Sequence, residues 1–260
     1  MKSISTIILC LTILHTSHSQ NHTITPTTNW VHLKSVNSVS IEGYDGKEII
    51  IESDYEDHEK VEEKSVGLKL WNNDEFDNAT KIGLTINEKS DAVSIKQVVN
   101  NECGVNDDQH YNIKIPKNMN IKYEHSTWEG EILHIKNISG TIEVSTNYNE
   151  IVLEEVTGPM AIKTVYGGIT ADFQEVSQTG SVSLYSVYEH VDVTVPTTTK
   201  SNVNLNTTYG NIYSDLDIDV DKQKSGKKGW TGSKVIGTVN NGGVDFILTA
   251  TYANIYLRSN

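Results

Sequence analysis

Residues 140–153 read GTIEVSTNYNEIVL, and this fourteen-residue pattern returns three more times along the chain. In every copy a small residue is followed eight positions later by a tyrosine, and successive tyrosines lie 18, 22 and 21 residues apart. A weaker copy runs from Gly243 through Tyr252 to Leu257, and its tyrosine follows the fourth by 43 residues, about two periods. A constant period near 20 residues indicates a repeat architecture. The other full copies are GPMAIKTVYGGITA (158–171), GSVSLYSVYEHVDV (180–193) and SNVNLNTTYGNIYS (201–214), and the four tyrosines are Tyr148, Tyr166, Tyr188 and Tyr209.

The order of residue types within a copy predicts which side chains face inward. Residues two apart share one face of a strand. The face that carries Ile142 and Val144 also carries Thr146 and Tyr148. We therefore expect the tyrosines to pack inward, at the corner where one strand of a repeat leads into the next. An exposed strip of tyrosines, which would suit a sugar, is the alternative interpretation.

The remaining chain also has the period-two pattern of strands, and no segment predicts a helix. A hairpin is expected around residues 88–91, and Pro116 is expected to end a strand. We predict one all-β domain over residues 20–260, a single-stranded parallel β-helix-like solenoid in which equivalent residues stack. Irregular strands over 20–125 form its N-terminal cap, and repeats of about 20 residues form 126–260. Two antiparallel sheets made from the same strands are the alternative architecture.

Residues 1–19 have the features of a secretory signal peptide, with Lys2, an apolar run and Ser17-His18-Ser19 as the cleavage site. The apolar run is too short to span a bilayer. We therefore expect an exported protein without a membrane span, in the periplasm, at the outer-membrane surface or outside the cell. The formal net charge of −13 argues against nucleic acid or an anionic membrane as a partner. Cys103 is the only cysteine beyond this segment, so no internal disulfide is predicted.

An alternation of aspartates with apolar residues suggests a metal site. Carboxylate oxygens on one face of a strand could hold calcium. The glycine and the glutamate of a calcium-binding loop are missing, however, and an acidic solvent-exposed face explains the pattern equally well. Zinc is not supported, because no His-x-x-x-His or Cys-x-x-Cys spacing occurs. No cofactor is predicted, and the metal candidates are Asp215, Asp217, Asp219 and Asp221.

Stacking the repeats places several acidic residues in one outward column. Neighbouring carboxylates repel each other, so a cation or a raised pKa would have to relieve them. Two such groups could serve glycoside hydrolysis, but any acidic β-ladder allows that spacing. Residues 222–234 are rich in lysine and glycine, and we expect a mobile insertion that exposes Trp230. The column is Glu154, Asp172, Thr194 and Asp215, flanked by Glu150 and His190, and the ligand-binding candidates are Glu154, Asp172, His190, Asp215 and Trp230.

Several short segments together resemble one family. The segment 39–49, VSIEGYDGKEI, is similar to its opening strand-turn-strand, and Tyr111–Pro116, YNIKIP, to its entry into the repeats. The family is the exported β-strand-repeat proteins called "putative adhesins", a domain of unknown function common in Bacteroidota. The resemblance covers roughly residues 30–258 and implies a solenoid related in shape to pectin-lyase folds, but it supplies no catalytic residues. Further matching segments are 140–144 (GTIEV), 166–169 (YGGI), 209–212 (YGNI) and the closing turn 241–243 (NGG).

The function that we expect is non-catalytic: an envelope or surface protein that presents a long β-face to a glycan or a protein. The alternative is a polysaccharide-degrading β-helix enzyme, either a lyase or a hydrolase. Such an enzyme would need clustered acids with a basic residue or calcium, and Arg258 is the only arginine in the chain. A third hypothesis is a scaffold that associates with its own copies through an open end of the solenoid.

Overall fold

The computed structural model describes residues 20–53, 80, 82–98, 109–228 and 231–260. Within these ranges the chain forms strands and no helix, which confirms the all-β prediction. The strands are arranged in two mixed sheets. It follows that no helix in the described ranges is long and apolar enough to cross a bilayer. The predicted signal segment, Cys103 and Trp230 lie outside the described residues.

The first sheet, sheet A, has ten strands. In spatial order they are β1 (Gln20–Ile24), β4 (Ile49–Ser53), β7 (His110–Pro116), β3 (Ser38–Tyr44), β9 (Leu133–Lys136), β11 (Ile151–Val156), β13 (Ile169–Phe173), β15 (Val191–Val195), β22 (Ile255–Ser259) and β17 (Ile212–Ser214). All pairings from β7 to β17 are parallel, whereas β4 pairs antiparallel with both β7 and β1.

The second sheet, sheet B, has twelve strands. In spatial order they are β18 (Ile218–Val220), β20 (Gly232–Val239), β16 (Ser201–Thr207), β21 (Val244–Ala250), β14 (Val182–Ser186), β12 (Met160–Thr164), β10 (Ile142–Thr146), β8 (Asn120–His125), β2 (Trp30–Lys34), β6 (Val93–Gln97) and β5 (Leu84–Glu88), and β19 (Gly226–Lys228) pairs with β20. The pairings from β16 to β6 are parallel.

Each sequence repeat supplies one strand to sheet B and the next to sheet A, joined by a corner that contains the tyrosine. We call such a pair with its corner a rung; the five are β10/β11, β12/β13, β14/β15, β16/β17 and β21/β22. Equivalent residues lie opposite each other in neighbouring rungs, as Ile142 with Met160 and Met160 with Val182. Because the inward aliphatic residues are almost fully buried, each contributes about 1.5–3 kcal/mol relative to full exposure.

The order of the rungs departs from the order of the chain. Rung β21/β22 lies between β14/β15 and β16/β17, with parallel partners on both sides in both sheets. The predicted stacking of repeats implies that each rung lies on the one before it in the chain, and this is wrong for the last two rungs. The reason is the segment β18–β20, which turns the chain back across the end of sheet B by antiparallel pairing.

The two ends of the stack are built differently. At one end, β19 and β20 pair antiparallel within the segment predicted to be a mobile insertion, so the described part of 222–234 is largely a hairpin. The prediction of a mobile insertion is therefore wrong for these described residues, because the pairing of β20 with β16 fixes them along the sheet. At the other end, β2 and β3 continue both sheets in parallel. The hairpin around residues 88–91 is confirmed by β5 and β6, and Pro116 ends β7 as expected.

Candidate binding site

Five tyrosine side chains, one from each rung, form a continuous stack along the corner between the two sheets. We call this stack the tyrosine ladder. Neighbouring ring centroids are 4.9–5.0 Å apart, and the ring planes lie within 16° of each other. The four separations add to about 20 Å, so the ladder is a ridge of that length. In spatial order the rings are those of Tyr148, Tyr166, Tyr188, Tyr252 and Tyr209.

The rings lie on the surface and not in the core. Their exposed fractions run from 43% at Tyr148 to 56% at Tyr209. The prediction that the tyrosines pack inward is therefore wrong, and the alternative of an exposed strip describes the structure. The reason is local: β10 ends at Thr146, and the chain bends at the next two residues. The period-two alternation does not continue through that bend, so the tyrosine leaves the core.

A buried hydroxyl two residues before four of the tyrosines fixes the shape of each corner. In the corner of Tyr209, the Thr207 hydroxyl accepts the Gly210 N–H at 2.7 Å and donates to the Ala253 carbonyl at 3.3 Å. Ser186 likewise donates to the carbonyl of Gly167 at 2.8 Å. Each hydroxyl therefore closes its own corner, and most also tie it to the neighbouring rung. The four residues are Thr146, Thr164, Ser186 and Thr207, all at most 3% exposed.

The backbone sets the spacing of the ladder. The N–H of Tyr166 donates to the carbonyl of Asn147 at 2.7 Å, and the N–H of Tyr209 donates to that of Thr251 at 2.9 Å. The N–H groups of Tyr188 and Tyr252 make the same bond to the rungs beside them. Because four of the five tyrosines are fixed by the equivalent bond, the rings repeat at the spacing of neighbouring β-strands, about 4.8 Å.

The ladder presents ring edges and phenol groups to solvent. Stacked rings cover each other's faces, so a ligand along the ridge meets the edges and the hydroxyls, which can both donate and accept. The flank on sheet B is formed by the outward residue three positions before each tyrosine, and only Lys163 of these five carries a charge. The five flanking residues are Ser145, Lys163, Tyr185, Thr249 and Asn206.

On the sheet A side, the predicted acidic column is interrupted by basic residues. Asp172 lies opposite Thr194 as expected, but the next partner of Thr194 is Arg258 and not Asp215, because rung β21/β22 is inserted there. At the other end Glu154 lies opposite Lys136, whose Nζ is 3.6 Å from the Glu154 carboxylate. The predicted column of acidic residues is therefore interrupted by two cations, Lys136 beside Glu154 and Arg258 beside Thr194.

Arg258 is held by one group of the neighbouring rung and one of its own rung. Its guanidinium donates to the carboxylate of Asp192, and its Cζ lies 4.9 Å from the ring centroid of Tyr256. The hydrogen bond with Asp192 raises the pKa of Arg258 further above its usual range. The Tyr256 ring stacks on Tyr213 at 5.3 Å, a second and shorter aromatic pair on this face. The single arginine of the chain thus has a structural role here.

The other predicted ligand-binding residues are dispersed. Asp215 accepts the N–H of Ser259 at 2.8 Å. His190 lies on the sheet A side of the ladder, where its Nδ1 is 4.0 Å from the carboxylate of Glu189. Its Nε2 lies 3.5 Å from the hydroxyl of Thr170. These contacts do not bring His190 and Asp215 together, and Trp230 falls outside the described residues.

The aspartates that suggested calcium do not form a common site in the described chain. Asp221 accepts the N–H of Gln223 at 3.0 Å and pairs with the ammonium of Lys224 at 3.2 Å. The hydrogen bond from Lys224 is the main cause of the lowered pKa of Asp221. Across the described ranges, no three His, Cys, Asp or Glu side chains are placed to hold a metal ion.

Two features beside the Tyr148 end of the ladder were missed in the sequence. Trp128 is 74% exposed on the corner between β8 and β9, one step before the corner of Tyr148. A shallow depression of about 270 Å³ opens nearby, lined by residues that include Lys34, Glu124 and Asn147. Because its walls come from three different strands of sheet B and their loops, no local sequence pattern announces it. Trp128, in contrast, is visible in the sequence and could have been named there as a candidate binding residue.

No family model matches the chain, and no curated protein matches it. One solved structure with a similar shape is that of a "putative cell adhesion protein" from Clostridium sporogenes. It has 10% sequence identity and a TM-score of 0.49, and the match covers 93% of this chain and 100% of that one. A likeness at this level establishes neither family nor function.

Proposed function

We propose that this is an exported, non-catalytic surface protein that binds an extended, neutral glycan chain along its tyrosine ladder. The observation that supports it is the ladder itself: five stacked rings, each 43–56% exposed, on one edge of the fold. A contiguous aromatic strip on a protein surface marks an interaction site, and tyrosine is enriched in such sites. In this proposal the rungs are coils of a β-solenoid, and the predicted signal segment 1–19 directs export.

The spacing of the ladder favours a linear polymer. Sugar rings cannot lie flat on rings that already cover each other's faces, so the contact is by hydrogen bonds to phenols and by ring edges. Each pyranose unit lengthens an extended β-1,4-linked chain by about the distance between two neighbouring rungs. One sugar per tyrosine therefore stays in register over all five rings.

Charge favours a neutral polymer over an acidic one. The net charge of the chain is −13, which repels a polyanion over the whole surface. The sheet B flank offers hydroxyl groups, such as those of Ser145 and Thr249, and the amide of Asn206, in place of the arginine clamps that recognise carboxylates. Only Lys163 interrupts this neutral flank.

The test is binding of neutral β-1,4-linked oligosaccharides of increasing length, measured by calorimetry. We expect affinity to rise with length up to about five sugars, one per ring, and then to level off. Tyr188→Ala, in the middle of the ladder, should weaken binding about tenfold or more, a loss of about 1.4 kcal/mol. Tyr213→Ala is the matched control, because that tyrosine is 50% exposed but lies outside the ladder.

Three results would overturn the proposal. One is no binding of any neutral glycan, and another is binding that Tyr188→Ala and Tyr213→Ala weaken equally. The third is capture of a protein at the ladder with no glycan affinity. The polysaccharide-degrading alternative has its own test: incubation with uronic-acid oligosaccharides, in which unsaturated product would contradict the non-catalytic role.

A further inference from the structure

We propose that residues 243–259, which form rung β21/β22, are an exchangeable rung that a second copy of this chain can supply. The space between β14/β15 and β16/β17, which this rung fills, is the acceptor slot. The inference rests on the topology and the closing turn, and it is independent of what the tyrosine ladder binds.

The slot is formed entirely by residues that precede the rung in the chain. In sheet B, β21 pairs over five residues with β14 and over seven with β16, parallel on both sides. In sheet A, β22 pairs in the same way with β15 and β17. Without the rung, four strand edges and the core between them would be open. Exposed strand edges are templates for pairing with another chain.

The rung fits the slot through side chains as well as backbone. Phe246 and Leu248 are at most 1% exposed, and the Phe246 ring lies 5.7 Å from that of Phe173. The side chain of Gln178 accepts the N–H of Val244 at 3.1 Å. A copy of the same rung from another molecule would reproduce each of these contacts. In domain swapping, identical contacts make the exchanged state nearly equal in energy to the closed one.

The turn that carries the chain into the rung is the part that differs between the two states. It links β20 to β21 across the start of β16, and three consecutive residues have left-handed φ: Asn240 at 50°, Asn241 at 69° and Gly242 at 80°. Asparagine and glycine tolerate this conformation better than other residues do, but non-glycine residues adopt it at a cost. Short, strained hinges favour swapping, because opening the hinge releases the strain.

Two side-chain anchors of the turn lie on the side that does not move, and the bond from the Gly242 N–H to the Val239 carbonyl, at 3.1 Å, is the one that opening the turn would break. The Asn240 amide donates to the carbonyls of Thr197 and Thr199, at 2.9 and 2.8 Å. These bonds hold Asn240, the first of the three left-handed residues, so β20 and Asn240 can stay in place while the two residues that follow extend. The hinge is therefore at Asn241–Gly242, and the exchange needs no change elsewhere in the described chain.

The experiment traps the exchanged rung with cysteines. Asn204 on β16 and Ile247 on β21 are register partners on the outward face of sheet B. Neighbouring strands at about 4.8 Å are within the range that a disulfide can bridge. Asn204→Cys and Ile247→Cys are made as separate chains, with Cys10 and Cys103 replaced by alanine, and the two are refolded together at high concentration. A disulfide between them in excess of random oxidation forms if one chain places its rung in the other.

The matched control uses two strands that do not exchange. Ala161 on β12 and Ser183 on β14 are register partners in the same sheet, and Ala161→Cys and Ser183→Cys are mixed in the same way. We expect the 204/247 mixture to give several times more covalent dimer than this control, with a yield that rises with protein concentration during refolding. Two glycines inserted after Asn241 should lower the yield. They relieve the backbone strain of the closed hinge, so opening the hinge no longer releases it.

Two results would overturn the inference. The first is a 204/247 yield no higher than that of the control. The second is a mass, measured by light scattering, that stays that of a monomer after refolding at every concentration. A single chain carrying both Asn204→Cys and Ile247→Cys verifies the register, because it should close an internal disulfide in the monomer.

Discussion

The ring of Tyr252 stacks on the ring of Tyr209 at 4.9 Å and 3°, although 43 residues of chain separate the two. This pair joins the two rungs that depart from chain order. A ladder of five rings therefore exists only when the inserted rung is in place. Without it, the stack would end at Tyr188. The exposed surface that we assign to ligand binding is thus a product of long-range pairing and not of any single repeat.

The stacking of the rings should make the cost of removing one depend on its position. Tyr188 stacks on two neighbours, Tyr166 and Tyr252, whereas Tyr148 stacks on Tyr166 alone among the described ladder rings. An aromatic pair contributes about 0.5–1.5 kcal/mol beyond area burial. We expect Tyr188→Ala to destabilise the fold by about 1–3 kcal/mol, and Tyr148→Ala by about half as much. Urea unfolding measures both, and equal losses would contradict a stabilising stack.

The buried hydroxyl of Thr207 should be needed to close its corner. In Thr207→Val the N–H of Gly210 loses its acceptor inside the protein, which costs about 1–3 kcal/mol. The side chain keeps its shape, so packing changes little. Thr249→Val, on the outward face of the neighbouring rung, is the control and should change stability by less than about 0.5 kcal/mol. The prediction is wrong if the two variants unfold at the same urea concentration.

Gly167 lies where two corners approach each other most closely. A Cβ added there would lie 1.8 Å from the carbonyl oxygen of Asn149, so the obstacle is backbone and cannot rotate away. We expect Gly167→Ala to cost about 3 kcal/mol or more, above the usual range for overpacking, and to lower the melting temperature accordingly. The reciprocal change Ala253→Gly, at the equivalent position of another rung, should cost only about 0.5–1 kcal/mol. A melting temperature unchanged by Gly167→Ala would mean that the corners are further apart than described.

His125 should make the fold less stable in mild acid. Its ring is buried, its Nδ1 has no hydrogen-bond partner among the described residues, and burial lowers its pKa from 6.5. Since the unfolded chain then binds the proton more readily than the folded one, stability is lost as the pH falls below about 6.5. Part of this loss should be absent in His125→Gln. His134→Gln, on an exposed outward position, should retain it, and unfolding curves at several pH values decide between these outcomes.

The repeats made much of the fold predictable. Alternating aliphatic residues before each tyrosine specify which face of a strand is buried, and residues such as Met160 and Val182 pair as the repeat predicts. The hydroxyl residue of each repeat was also correctly predicted to face inward, and Thr164 and Ser186 are fully buried. These features follow from period-two geometry, which holds as long as the chain stays in a strand.

What could not be predicted depends on bends and on competition between similar segments. Tyr148 points outward because the strand has ended two residues earlier, and nothing in the alternation marks that end. The position of rung β21/β22 within the stack depends on which neighbouring rungs its strands and side chains fit best. The segments around Tyr209 and Tyr252 have nearly the same pattern, so the sequence does not rank the two positions. The break in the acidic column at Arg258 follows from that placement.

The inserted rung also has a consequence during synthesis. A chain that leaves the ribosome amino end first exposes residues 201–214 well before residues 243–259. At about 5–20 residues per second, some 45 residues of further translation impose a delay of roughly 2–9 seconds. Throughout that interval the strands β14 to β17 lack the partners that β21 and β22 later supply. The cellular yield of the protein should therefore depend on chaperones that shield these strands until translation has supplied the missing layer.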